Sequence, residues 1–106
     1  MYKVRVVNSH RGFIRIDDEH IEPIHRPHPL GNPYPFEQYG RIAACLDYLE
    51  YLKKEYKNPA SQVKHAIDKL RDIGAYGRQL TLVCFCEPQM CHGRIVANFI
   101  NYKYEQ

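Results

Sequence analysis

Apolar and charged residues alternate at the start of the chain. Over residues 2–8, Val4, Val6 and Val7 interleave with Lys3 and Arg5, the β-branched, period-two pattern of a strand. Residues 9–12 read as a tight connection and residues 13–17 (FIRID) as a second strand. So short a link permits an antiparallel hairpin and forbids a parallel crossover. Residues 18–36 break the pattern: they hold five of the seven prolines, and most positions either are proline or precede one, which excludes a helix. A loop of that length in a compact domain is usually functional or disordered.

Helical spacing takes over at residue 38. Over residues 38–56, Ile42, Cys45, Leu46, Leu49 and Leu52 recur at three- and four-residue steps until Lys57-Asn58-Pro59 ends the run. Residues 60–73 repeat the pattern with Val63, Ala66, Ile67, Leu70 and Ile73, stopped by Gly74 and Gly77. Residues 79–85 (QLTLVCF) are almost continuously apolar, as suits a buried central strand. Residues 86–91 form a loop, and Ile95, Val96, Phe99 and Ile100 mark a last amphipathic helix over residues 92–104. This order predicts one α/β domain over residues 1–106, a mixed sheet covered by helices.

Composition narrows the class. With 106 residues and 44% apolar content, the chain suits one packed domain and argues against disorder. The longest apolar run, residues 80–86 interrupted by Thr81, falls far short of the ~20 residues of a membrane span. The opening MYKVRVVN has neither the apolar stretch nor the small-residue cleavage site of a signal peptide. A soluble, cytoplasmic protein is therefore expected, with no membrane partner. A net charge of +3 is compatible with an anionic ligand and too small to argue for nucleic acid. Cys45 lies in a helical pattern while Cys84, Cys86 and Cys91 crowd into eight residues, an arrangement expected of reduced thiols rather than a disulfide framework.

The strongest chemical feature is CFCEPQMCHGR, residues 84–94, at a strand-to-helix junction. Ligands bind beyond the carboxyl ends of strands in open α/β sheets. A helix starting near Cys91 or His92 would aim its first amides into the loop and favour an anion. Arg94 adds a fixed positive charge and Gly93 permits close backbone approach. A thiol so placed has a lowered pKa, making Cys91 a candidate nucleophile with His92 as general acid or base. Cys84 and Cys86, two apart on a strand, share a sheet face; Cys84 is expected to pack as a small hydrophobe, whereas Cys86 stands equally as a ligand contact. Zinc is the competing use of three Cys and one His, but C-x-C-x4-C-H lacks the paired C-x2-C spacing of common sites, so neither metal nor cofactor is expected.

The second feature is HRPHPLGNPYPF, residues 25–36. Proline lowers the entropy of a long loop, and Gly31-Asn32 reads as a tight turn presenting an amide able to donate and accept. Arg26, His25 and His28 add cationic or titratable groups. The alternative is a cover loop in which Asn32 caps its own backbone. Asn8-Ser9-His10-Arg11, at the end of the first strand, reads as a solvated turn in preference to a third contributor to the same site. The tyrosines Tyr48, Tyr51, Tyr56, Tyr102 and Tyr104 fall on helices and suit packing, or contact with a second copy in a homodimer, rather than base stacking.

On PLGNPY (residues 29–34) and LVCFCEPQMCHGRIVANFI (residues 82–100), the chain resembles domain-of-unknown-function family 4326, small phage and bacterial proteins. The order of strands, LGNP loop, helical middle, C-x-C…C-H-G loop and closing helix also matches, so the likeness covers nearly the whole chain. A related C-x-E-P…C-H loop occurs in another uncharacterised α/β family, numbered 488, which makes the C-terminal half less diagnostic. Phe85 stands where the first family is expected to have Trp, a change that bears on packing. The resemblance implies a Rossmann-like domain and supplies no reaction.

The expected function is binding of an anionic small molecule, nucleotide- or nucleoside-like, between the two loops, with Asn32 facing Cys91, His92 or Arg94. As an enzyme the chain would hydrolyse or transfer at a phosphoryl or glycosidic bond: Cys91 or His92 reacts, Arg94 and the helix amides stabilise charge, and Asn32 with Arg26 orients. The alternatives are a non-catalytic phage protein that sequesters a nucleotide and a zinc-stabilised interaction domain.

Overall fold

The structure is a computed structural model and describes residues 2–34, 40–84 and 92–102. Three strands, β1 (Val4–Asn8), β2 (His20–Pro23) and β3 (Leu80–Cys84), and three helices, α1 (Arg41–Tyr56), α2 (Gln62–Gly74) and α3 (His92–Tyr102), form an α/β fold. The strand order is β1-β3-β2 and both pairings are parallel, with Val4 opposite Leu80 and His20 opposite Leu80 on the other side. β3 is buried throughout, as its apolar run predicts for the centre of a parallel sheet.

The period of two divides the sheet into two faces. Leu80 and Leu82 join Tyr48, Leu52, Val63, Ile67, Leu70, Val96 and Phe99 in one apolar core, with Val4 and Val6 of β1 packed against it. All three helices therefore lie on this face. Each fully buried Leu, Ile or Phe there contributes about 1.5–3 kcal/mol. Thr81, between the two leucines, points the other way, where residues 9–19 cross the sheet. Ser61 starts α2 by accepting a hydrogen bond from the Val63 amide at 3.1 Å, a favourable N-cap. Buried Arg71 donates to the Phe99 and Ile100 carbonyls at 2.8 and 3.1 Å, tying α2 to α3.

Expectations about the sheet and about α1 are corrected. The antiparallel hairpin does not form, and the described sheet is parallel rather than mixed. Residues 13–17 are irregular although β-branched; Ile14 and Ile16 are exposed, and side chains capture their backbone. Arg5 donates to the Ile14 carbonyl at 2.8 Å and the Ile16 amide donates to Glu19 at 2.9 Å. The second strand lies instead in the proline-rich stretch, as an edge strand closed by Pro23, where proline is tolerated. α1 also turns a different face inward from the one its aliphatic residues mark. Cys45 and Leu52 are buried as expected, but Ala44, Tyr48 and Tyr56 complete the buried stripe while Ile42 and Leu46 are exposed. α2, β3 and α3 match their expected spans to within two residues at each end.

Candidate functional site

Because the strands are parallel, their carboxyl ends share one edge of the sheet. Residues 24–34 leave β2 there, and α3 begins there with His92. Ile24 joins the two. Its amide donates to the Val83 carbonyl of β3 at 3.0 Å, and its own carbonyl accepts from His92 Nε2 at 2.8 Å. A carbonyl only accepts, so Nε2 carries the proton and the neutral ring keeps its lone pair on Nδ1.

His92 is 6% exposed. Burial holds its pKa below the ordinary histidine value; the Ile24 carbonyl opposes this, and the nearby Arg26, His25 and His28 push it further down. Its ring meets the Tyr48 ring edge-on at 5.4 Å. Tyr48 in turn donates its hydroxyl to the Leu30 carbonyl. The imidazole is thus clamped between the loop, β2 and α1, a neutral acceptor of fixed tautomer rather than an exposed cation.

The loop is built from short-range bonds. The His28 amide donates to the His25 carbonyl and the Gly31 amide to the His28 carbonyl, at 3.0 and 2.8 Å. Gly31 packs so closely on the start of the loop that a Cβ would stand 2.7 Å from the Arg26 nitrogen and 2.9 Å from its Cα. Only glycine fits that contact without displacing backbone. Asn32 follows, 7% exposed. Its Oδ1 accepts from the Tyr34 amide at 2.8 Å, the local cap foreseen as the plain use of this residue. Its Nδ2 is buried and has no acceptor among the described residues.

The sequence candidates therefore divide. His92, Gly31 and Asn32 are buried at one edge, linked through Ile24, Leu30 and Tyr48, although Asn32 makes no bond to His92. Gly93 is buried beside His92, whereas Arg26 and Arg94 are exposed. Cys86 and Cys91 lie outside the described residues. Cys84 is wholly buried on β3, in keeping with its packing role. Residues 9–11 form an exposed turn, with Asn8 Oδ1 accepting from the His10 amide at 2.8 Å.

Sequence reading missed Tyr48 and Glu22. Tyr48 was legible as a member of the α1 stripe, three residues from Cys45 and four from Leu52, had aromatics been counted with aliphatics. Glu22 carried no such signal. Its two oxygens accept from His20 Nε2 at 2.7 Å and His28 Nε2 at 2.6 Å, a grouping only the fold creates. Beside it an open groove of about 330 Å³ is lined by Glu22, His28 and Pro29 and by His65 and Lys69 of α2.

No helix among the described residues is long and apolar enough to cross a membrane. Neither the curated proteins nor the solved structures contain a match to this chain. The family model described as domain of unknown function (DUF4326) matches residues 7–102, a span that takes in the end of β1, the 24–34 loop and α3. On that match the chain belongs to the DUF4326 family.

Proposed function

We propose that the carboxyl edge of this Rossmann-like sheet binds an anionic, nucleotide- or nucleoside-like molecule between the 24–34 loop and the start of α3, and hydrolyses or transfers a phosphoryl or glycosidic bond there. The observation that carries this reading is the Asn32 amide, whose buried Nδ2 has no acceptor among the described residues. A buried donor left unpaired costs about 1–3 kcal/mol, and an oxygen of a bound ligand would recover that cost. A neutral imidazole with Nδ1 as its basic atom stands at the same edge.

In the reaction, His92 Nδ1 takes the proton of the attacking water or of the Cys91 thiol as its oxygen or sulfur bonds to phosphorus or to the anomeric carbon. The leaving oxygen or nitrogen departs with the electron pair of the broken bond and receives that proton back. Arg94 and the first amides of α3 offset the developing negative charge. We place this activity in the cytoplasm, where Cys91 stays reduced. The burial of His92 favours a second reading, a binder that sequesters the nucleotide unchanged, as a phage protein would to silence a host signal.

The test is incubation with a panel of nucleotides and nucleosides, followed by mass spectrometry for products and calorimetry for binding. His92→Gln keeps an N–H for Ile24 and removes the basic atom. Turnover that is lost in this variant with affinity retained establishes the enzyme. Tight binding with an unchanged ligand leaves only the sequestering reading. Arg94→Ala should weaken binding by on the order of 1.5–3 kcal/mol. An absence of binding across the panel overturns both readings.

A further inference from the structure

His28 occupies a position that a general loop residue would not need. Its Nε2 donates to Glu22 at 2.6 Å, while its Nδ1 accepts from the Leu30 amide at 2.9 Å. The ring therefore relays a carboxylate on β2 to a backbone amide two residues before Asn32. Both bonds are satisfied only by the neutral imidazole with its proton on Nε2. A second proton would go to Nδ1 and set an N–H against the Leu30 N–H.

We propose that His28 is a positioning residue: the Glu22–His28–Leu30 relay latches the segment that presents Gly31 and Asn32, and protonation of His28 Nδ1 releases it. As a statement about the loop the proposal stands alone; as a statement about ligand binding it rests on the reading of Asn32 given above.

The surroundings allow such a response. His28 and Glu22 side chains keep 19% and 18% of their exposure, and the groove beside them admits water. The ring can thus gain a proton without unfolding of the core. The groups around it are mixed. Glu22 of β2 bonds the ring and shares its carboxylate with His20; His65 and Lys69 of α2 line the same groove; and His28 acts together with His25 and Arg26 of the loop on His92 of α3. Glu22 favours the charged ring and the cationic groups oppose it. The Leu30 amide is the partner that strictly requires the unprotonated nitrogen. Leu30 is also the residue whose carbonyl Tyr48 holds, so its release loosens the contact above His92 as well.

The experiment is nitrogen-15 NMR of the ligand-free protein, following the His28 ring and the Leu30 amide as pH falls from about 8 to about 5. The expected result is a neutral ring with unprotonated Nδ1 at the high end, and loss of Leu30 exchange protection in step with protonation of that nitrogen. In His28→Ala the Leu30 amide should exchange about tenfold faster even at high pH. His28→Asn is the rescue variant. Its Oδ1 can accept from the amide two residues on, as Asn commonly does, but takes up no proton, so Leu30 should stay protected at both ends. A Leu30 amide indifferent to His28→Ala, or one as acid-sensitive in His28→Asn as in the wild type, overturns the latch. AMP titrated into wild type and His28→Asn at both pH values then separates the two proposals. Acid-resistant affinity confined to His28→Asn supports the latch as a control on binding. Equal loss of affinity in both proteins overturns that control. If AMP binds neither while Leu30 follows His28, the latch stands and nucleotide binding is what fails.

Discussion

Residues 9–19 and residues 24–34 are both irregular, both flank β2, and both are fastened by a glutamate, yet the two fastenings differ in kind. Glu19 takes the Thr81 hydroxyl, the Ile16 amide and the Arg5 guanidinium, with its side chain only 3% exposed. These donors cannot lose their protons near neutral pH. The Thr81 bond above all, then the Ile16 amide and Arg5, lower the Glu19 pKa from 4.5 to about 2. Glu22 instead takes two imidazoles. Burial pushes its pKa up, but the bonds from His20 and His28 outweigh burial and hold it below the ordinary value. The first segment is pinned permanently, its bonds running to Arg5 of β1 and Thr81 of β3. The second is held by imidazoles, whose ring nitrogens can donate or accept, and it carries a buried amide nitrogen with no acceptor among the described residues. Fastening through imidazoles belongs to the loop for which ligand binding is proposed.

The sharpest way to break this comparison is to remove the permanent pin. Glu19→Ala strips partners from Arg5, Thr81 and the Ile16 amide together, and should lower Tm at pH 7 more than Glu22→Ala does. The sign of its pH dependence follows from the depressed pKa. Glu19 contributes stability that is fully present above pH 4.5, its ordinary value, and is lost as pH falls towards about 2. Thermal melts over that window should therefore fall more steeply for wild type than for Glu19→Ala. A larger loss at Glu22 would show that the 9–19 segment is not the more firmly held of the two.

Gly31→Ala should have the next effect. The new methyl meets Arg26 backbone atoms at 2.7 and 2.9 Å, which a side-chain rotation cannot relieve. A cost of about 1–3 kcal/mol is expected, read as a lower urea midpoint with an unchanged slope. Wild-type stability in this variant would mean that the loop already samples a wider arrangement.

These two segments also show what the sequence could and could not reveal. The amphipathic period of α2 and the apolar run of β3 identify buried elements because each satisfies its own backbone or lies at the sheet centre. FIRID misleads because β-propensity measures fit to a pleated, half-buried surface; Ile14 and Ile16 find no such surface, and Arg5 and Glu19 take their backbone groups instead. HIEP hides because a four-residue edge strand needs little apolar patterning and accepts a terminal proline. At the site, Gly31, Asn32 and His92 were legible as residue types at a turn and a helix start. Their linkage was not, since it runs through Ile24, Tyr48 and Glu22, which only tertiary pairing brings to the same edge.

The smallest loss of stability should come from the residue given the largest role in binding. Asn32→Ala loses the bond to the Tyr34 amide, worth about 0.5–1.5 kcal/mol. It also removes a buried Nδ2 that has no acceptor among the described residues, relieving a penalty of about 1–3 kcal/mol. The two terms oppose, so the unfolding free energy read from urea melts should fall by no more than about 0.5 kcal/mol and can rise by up to about 2.5 kcal/mol. A purely structural asparagine would behave differently: with both ends of its amide bonded, truncation would be plainly destabilising. If Asn32→Ala is near neutral in stability yet abolishes binding across the nucleotide panel, the unpaired amide is held for a ligand. If it unfolds the protein at moderate urea, Nδ2 has a partner in solution, and the argument for a site at this edge loses its main support.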